Sequence, residues 1–320
     1  MNCRRRFLVG LAALATFRAR AVRAQARLPR VGHVSAGGLS IGNLLAGLRE
    51  VGHVPGETII VEHRPTAGEA DRYDAAVAAL LASGVDVLVV ASPHGIVAAR
   101  RRTSRVPIVA VDLESDPVAS GFVTSLARPG SNLTGLFLDL PEMSAKLLQL
   151  LQEVKRALSR VGIMWDAAIA RAQFEATERA ARTAGIEVHP AVIRTAADLR
   201  PALEAMARER AGAFIALSSP LMRLNQAQID DLALRHRLPS ITVFALLENG
   251  RGLISYGPDL DSMQRRVAVY VDRILKGANV AELPVERPAK FELAVNLRTA
   301  KILGLELPQS LLLRADRILP

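Results

Sequence analysis

Small polar residues stand where several β-branched runs end, and they are the part of this sequence with chemistry to offer. Ser35-Ala36-Gly37 follows the run from Val31, and Ser92-Pro93-His94 follows the run from Val85. Asp112 and Glu114 close the run from Pro107. In the second half Trp165, Ser218-Ser219, Phe244 and Tyr256 sit at the ends of similar runs. Backbone N–H groups at a strand-to-helix turn, with the positive end of the helix, favour an anion such as a carboxylate. A ligand ammonium needs an acid, and Asp112 or Glu114 supplies one. Trp165, Phe244 and Tyr256 offer an apolar wall. Ser-Pro at such a turn is also an N-cap followed by the first helical residue. Ser92 and Ser219 therefore read equally as caps and as ligand contacts.

Reaction chemistry is not signalled. The histidines (His33, His53, His63, His94, His189, His236) show no H-E-x-x-H spacing, and the single cysteine, Cys3, lies in the leader. Without it the mature chain has no disulfide, no thiolate metal site and no cysteine nucleophile. There is no phosphate-binding G-x-x-x-x-G-K-[ST], no G-x-G-x-x-G and no G-x-S-x-G elbow. The expectation is a protein without catalytic residues, metal or cofactor.

Two series of strand-like runs must position the polar residues. The first begins near Val31, Thr58, Val85 and Pro107, the second near Arg160, Ile186, Gly212 and Pro239, with spacings of 22 to 27 residues. Between them lie helical stripes: Ile41, Leu44, Leu45, Leu48, Val51; Leu147, Leu150, Leu151, Val154, Leu158; and Leu260, Met263, Val267, Tyr270, Val271, Ile274. Strand–helix repeats of this length imply parallel sheets with right-handed crossovers. The fold class is α/β, with two doubly wound parallel-sheet lobes and a ligand cleft between them. The expected division is 27–138 plus 252–283 for the first lobe, and 139–251 plus 284–320 for the second. Hinges are expected around Leu136–Pro141 and Glu248–Gly252.

The net charge of +10 suggests a nucleic-acid partner, but its location argues against one. Residues 1–26 hold six arginines and no acid; removing them from the 41 basic residues leaves 35 against 31 acidic. Arg4-Arg5-Arg6, the apolar run Phe7–Phe17 and Ala24-Gln25-Ala26 describe a signal peptide of twin-arginine type, cleaved near Ala26. The mature chain is expected to be soluble, periplasmic and monomeric.

Longer motifs carry a family resemblance. Asp116-Pro117-Val118, the run from Ser125 to Gly135, Arg235–Pro239, Ser255–Asp259, Pro284–Leu293 and Asn296–Lys301 resemble ABC transporter substrate-binding proteins related to tryptophan- and tyrosine-type binding proteins. The resemblance implies a type I periplasmic-binding-protein fold and capture of a small organic ligand by lobe closure. It also implies an ABC permease as partner and no enzymatic activity. Ligand contacts are implied at the loops matching Ser92-Pro93-His94 and Ser35-Ala36-Gly37. The sequence departs from the family pattern at Glu114-Ser115, at His94 and at Leu217–Pro220, all inferred cleft positions. Two other readings remain: an exported α/β hydrolase or oxidoreductase, and a ligand-sensing module for a membrane receptor.

Overall fold

The computed structural model describes residues 27–37, 41–138, 140–243 and 251–320. The leader, with its arginines and cleavage point, and Phe244 lie outside the described residues.

The first sheet is built from β1 (Arg30–Ser35), β2 (Ile60–Pro65), β3 (Val87–Ala91), β4 (Ile108–Asp112) and β5 (Leu133–Phe137). All pairings are parallel, in the order β2-β1-β3-β4-β5. Every residue of β3, β4 and β5 is buried, which is why a run such as Val87–Ala91 is apolar on both faces. The second sheet follows with β6 (Arg160–Asp166), β7 (Glu187–Ile193), β8 (Ala213–Ala216), β9 (Ser240–Thr242), β10 (Ile254–Pro258), β11 (Phe291–Asn296) and β12 (Arg317–Leu319). Its order is β12-β11-β10-β9-β8-β6-β7. Strands β6 to β10 thus repeat the topology of the first sheet, and β11 and β12 extend it. The β10–β11 pair is antiparallel, so this sheet is mixed where the sequence suggests a parallel one. Between those two strands the chain leaves for the other lobe and returns, free to enter from either end.

Each apolar stripe finds a surface. Leu44 and Leu48 on the helix Ile41–Glu50 share one core with Val267 and Val271 on Leu260–Leu275. A Cβ on Gly47 would stand 2.9 Å from the Cα of Arg265, so this helix pair needs glycine there. Leu147, Leu150, Leu151 and Val154 of the helix Leu140–Val154 are buried, packed on the second lobe.

The crossings differ in detail from the expected division. Strand β10 hydrogen-bonds to β9 and β11, so residues 254–258 lie in the second sheet although 252–283 was assigned to the first lobe. Only the helix after it packs on the first. Residues 284–286 also stay with the first lobe. The Thr134 hydroxyl donates to the Leu283 carbonyl at 2.7 Å, and Phe137 N–H donates to the Glu286 carbonyl at 2.9 Å. The described chain passes between sheets near 138–140, 258–260 and 287–290. The apolar strand Ile254–Pro258 and the proline-marked stretch after Leu283 look alike in periodicity from either side, so only their hydrogen-bond partners settle the lobe. Among the described residues no helix is long and apolar enough to cross a membrane.

Candidate functional site

In an order of the β2-β1-β3-β4-β5 kind, the chain reverses direction of winding between β1 and β3, and a crevice opens beyond their carboxyl ends. Ser35 and Ser92 are the residues there. In the second lobe the equivalent point lies between β6 and β8, where Trp165 and Ser218 stand. The two crevices face each other. Glu114, two residues past β4, accepts a 2.8 Å hydrogen bond from the Ser218 hydroxyl, past β8 of the other sheet. Gly68, at φ +77°, brings backbone against the opposite lobe: a Cβ there would lie 3.1 Å from Leu224 and 3.4 Å from Pro220.

On the first lobe Ser35 is fully buried, and its hydroxyl is engaged with His63 Nε2 at 3.2 Å and with the Gly37 N–H at 3.3 Å. The His63 ring stacks on His33 at 4.9 Å. Burial lowers the pKa of both; His33, buried and beside His63, falls to about 3. Both are therefore neutral props of the loop. Ala36 is buried beside them, and Gly37 turns the chain with φ 92°.

Ser92 occupies the N-cap position of the helix Pro93–Arg102 but makes no capping bond. Its backbone sits at φ 78°, ψ 156°, a region that is essentially glycine's and costs on the order of 1–3 kcal/mol. Its buried hydroxyl has no partner among the described residues. Pro93 brings no N–H, so His94 and Gly95 supply the first unbonded N–H groups of the helix. The His94 ring stacks on Tyr73 at 6.0 Å, and among the described residues its buried Nδ1 and the buried Tyr73 hydroxyl have no partners either.

Asp112 is fully buried, and the turn after β4 consumes its carboxylate. One oxygen accepts from the N–H groups of Glu114 at 2.9 Å and Ser115 at 3.2 Å, and the other accepts from the Ser115 hydroxyl. Burial, then the neighbouring Glu114 charge, raises its pKa to about 8 against those hydrogen bonds. Its carboxyl is thus committed to the turn rather than open to a ligand. Glu114, only 4% exposed, is different. Among the described residues no lysine or arginine forms an ion pair with it, although Arg287 lines the same cavity of about 110 Å³.

On the second lobe Trp165 stacks on Phe174 at 4.9 Å, and its Nε1 has no partner among the described residues. Ser219 is a true N-cap, its hydroxyl accepting from Met222 N–H at 3.1 Å. Tyr256 stacks on Phe291 at 5.8 Å and lines an adjoining cavity with Met143, Lys146 and Pro288, which shares Leu138 and Arg287 with the Glu114 cavity. The structure therefore brings Ser35, Ser92, Asp112 and Glu114 to one edge, sets Ser218 against Glu114, and puts Tyr256 on the adjoining cavity.

One residue escaped sequence reasoning. Gln173, in the first turn of the helix Arg171–Thr183, is 1% exposed. Its amide donates to the Ser218 carbonyl and accepts from the Ser218 N–H, both at 3.1 Å. The available signal was its spacing: Gln173, Thr177 and Ala181 recur every four residues on the buried face.

Comparison with known proteins agrees with this fold. A crystal structure of a conserved domain protein from Vibrio cholerae superposes with a TM-score of 0.85 at 23% identity, covering 91% of this chain and 100% of that one. An ABC domain from Streptococcus pneumoniae in complex with L-Trp gives 0.84 at 18% identity, with coverage of 91% and 100%. The ligand-free, open structure of a substrate binding protein from Clostridium difficile gives 0.66 at 20% identity, with coverage of 91% and 99%. A tyrosine-binding protein of Clostridioides difficile is 19% identical over 263 residues, 81% of this chain and 74% of its own length. The sequence model described as ABC transporter substrate binding protein matches residues 35–319. With its two lobes and facing crevices, the chain belongs to the family of ABC transporter substrate binding proteins.

Proposed function

We propose that this solute-binding protein captures a small zwitterionic amino acid with an apolar or aromatic side chain, and delivers it to an ABC permease. The observation that carries the reading is the Ser92 turn, set on the same sheet edge as the buried Glu114 carboxylate. The strained Ser92 turn presents an unpartnered hydroxyl at a helix N-terminus, which suits a carboxylate. A short way along the same sheet edge, the buried Glu114 carboxylate accepts from the Ser218 hydroxyl and the Leu113 N–H, and an acid there suits an ammonium. The Trp165–Phe174 stack on the opposite lobe supplies the apolar wall. The L-Trp complex and the tyrosine-binding relative support the same class. Ser35, Ala36, Gly37, Pro93, His94, Ser218 and Phe244 complete the proposed lining, while Asp112 and Ser219 support it from behind.

The protein acts by binding alone, as a monomer, with residues 27–138 and 259–286 closing against the remainder. Calorimetry of the mature chain against L-tryptophan, L-tyrosine and L-phenylalanine, with their des-amino acids and simple sugars as controls, tests the class. Binding of the amino acids alone supports it; preference for a des-amino acid or a sugar refutes it. The leader places the mature protein in the periplasm. Replacing Arg4 and Arg5 by lysine keeps the charge, and retention of precursor in the cytoplasm is the expected result. Normal export of that variant excludes the twin-arginine route.

A further inference from the structure

The residues that join the two lobes belong to the protein on both sides. Ser218 reaches Glu114 with its hydroxyl, while its backbone N–H and carbonyl are both held by the Gln173 amide. Gln173 spends both amide atoms on one residue. A bidentate grip of this kind fixes the plane of the Ser218 peptide and hence the direction of its side chain. All three residues are at most 4% exposed, so water competes little for these bonds. Ala172 and Gln173 also line the cavity next to Glu114 through Val118, so the first helical turn of the second lobe is seated on the first lobe's β4 loop.

We propose that Gln173 is the positioning residue of an interlobe latch, holding Ser218 so that its hydroxyl closes onto Glu114. This rests on the proposed capture by lobe closure, but not on the ligand being an amino acid. A carboxylate oxygen has room for more than one donor. A ligand ammonium can therefore share Glu114 with the Ser218 hydroxyl, and a ligand and the latch then pull the lobes the same way. A hydrogen bond to a charged group contributes about 1.5–3 kcal/mol. Losing the latch should lower the closed-to-open ratio about 10- to 100-fold.

The mature chain lacks cysteine, so Ser104→Cys on the first lobe and Ala184→Cys on the second accept a single dye pair. Both positions are exposed. Single-molecule energy transfer then reads the interlobe distance without ligand and with saturating L-tryptophan. Ser218→Ala should shift the ligand-free population towards longer distance, and Gln173→Met should do the same although it leaves the hydroxyl in place. Ser218→Thr, which keeps a hydroxyl, should restore the short distance. Glu114→Gln combined with Ser218→Ala should open the lobes no further than Ser218→Ala alone. Thermal unfolding separates a local effect from loss of structure: Ser218→Ala should unfold cooperatively, within a few degrees of wild type. Unchanged distances in Ser218→Ala, or additive effects in the double variant, overturn the latch. Opening by Ser218→Ala in a protein that binds no amino acid keeps the latch and removes only the ligand class.

Discussion

Ser92-Pro93 and Ser219-Pro220 occupy the same place in their lobes, at the carboxyl end of the third strand of each repeated sheet, and they behave differently. Ser219 has an extended backbone, φ −164°, and caps its helix through Met222 N–H at 3.1 Å. Ser92 sits at φ 78° with its hydroxyl buried and unbonded. One turn is satisfied within the protein; the other is strained and unsatisfied. Strain of that kind persists only where surrounding structure imposes it, and it concentrates at ligand clamps. The division extends along the sheet edges. The first lobe carries Ser92, whose hydroxyl has no partner among the described residues, and Glu114, which accepts from the Ser218 hydroxyl and the Leu113 N–H but forms no ion pair among those residues. The second carries polar groups already bonded, Ser218 and Ser219, beside an aromatic wall. The first lobe is built to recognise charge and the second to close over it.

The hardest test of that division is Glu114→Gln. The change is nearly isosteric and keeps an acceptor for the Ser218 hydroxyl, but removes the anion. Affinity for an amino acid should fall by about 2–5 kcal/mol, as when a buried charge loses its partner. Affinity for the des-amino analogue should hardly change. Calorimetry of both ligands on both proteins measures the difference. Equal losses for the two ligands would show that Glu114 is structural, and the contrast between lobes would fall with it.

The strand-end positions were legible because a parallel α/β fold puts its ligand side at the carboxyl ends of strands, and periodicity locates those ends. Ser35, Ser92, Glu114, Trp165 and Ser218 follow from that rule. Which of two identical Ser-Pro turns is a cap does not, since backbone dihedrals depend on packing contributed by distant segments. Tyr256 lies in the middle of β10 rather than at its end, and its ring stacks on Phe291 of the neighbouring antiparallel strand, a pairing with no local signature. Gln173 has its role only through Ser218, 45 residues away.

Asp112 gives a test of intermediate size, because its buried carboxyl titrates at about 8 rather than the usual 3.8. The unfolded chain loses this proton near pH 4, whereas the folded protein keeps it until about pH 8. Between those values the folded state binds more protons, so this group makes stability fall as pH rises, and above about pH 8 its contribution is constant. Asp112→Asn removes the titration and preserves most of the turn's acceptors. The variant's stability should decline less between pH 5 and 8 in urea titrations than wild type's, and its ligand affinity should stay close to wild type. A parallel pH profile would place the ionised form of Asp112 in the folded protein and make it a rival to Glu114 as the recognition anion.

The smallest effects come from the two serines themselves, and their value lies in opposite signs. Ser92→Gly suits φ 78° without strain, and it removes a hydroxyl that bonds to none of the described residues. Part of the relieved strain is offset by the greater backbone freedom of glycine in the unfolded chain. A net gain of about 1 kcal/mol in unfolding free energy is expected, with a loss of ligand affinity. Ser219→Ala removes a working cap and should cost about 1 kcal/mol of stability, while affinity changes little because its hydroxyl already serves Met222. Urea unfolding and calorimetry on the two variants give four numbers. Stability up with binding down for Ser92, against stability down with binding kept for Ser219, is the pattern this division of labour demands. If Ser92→Gly destabilises the protein and leaves binding intact, the first turn is another structural cap, and recognition of the carboxylate must lie elsewhere along the cleft.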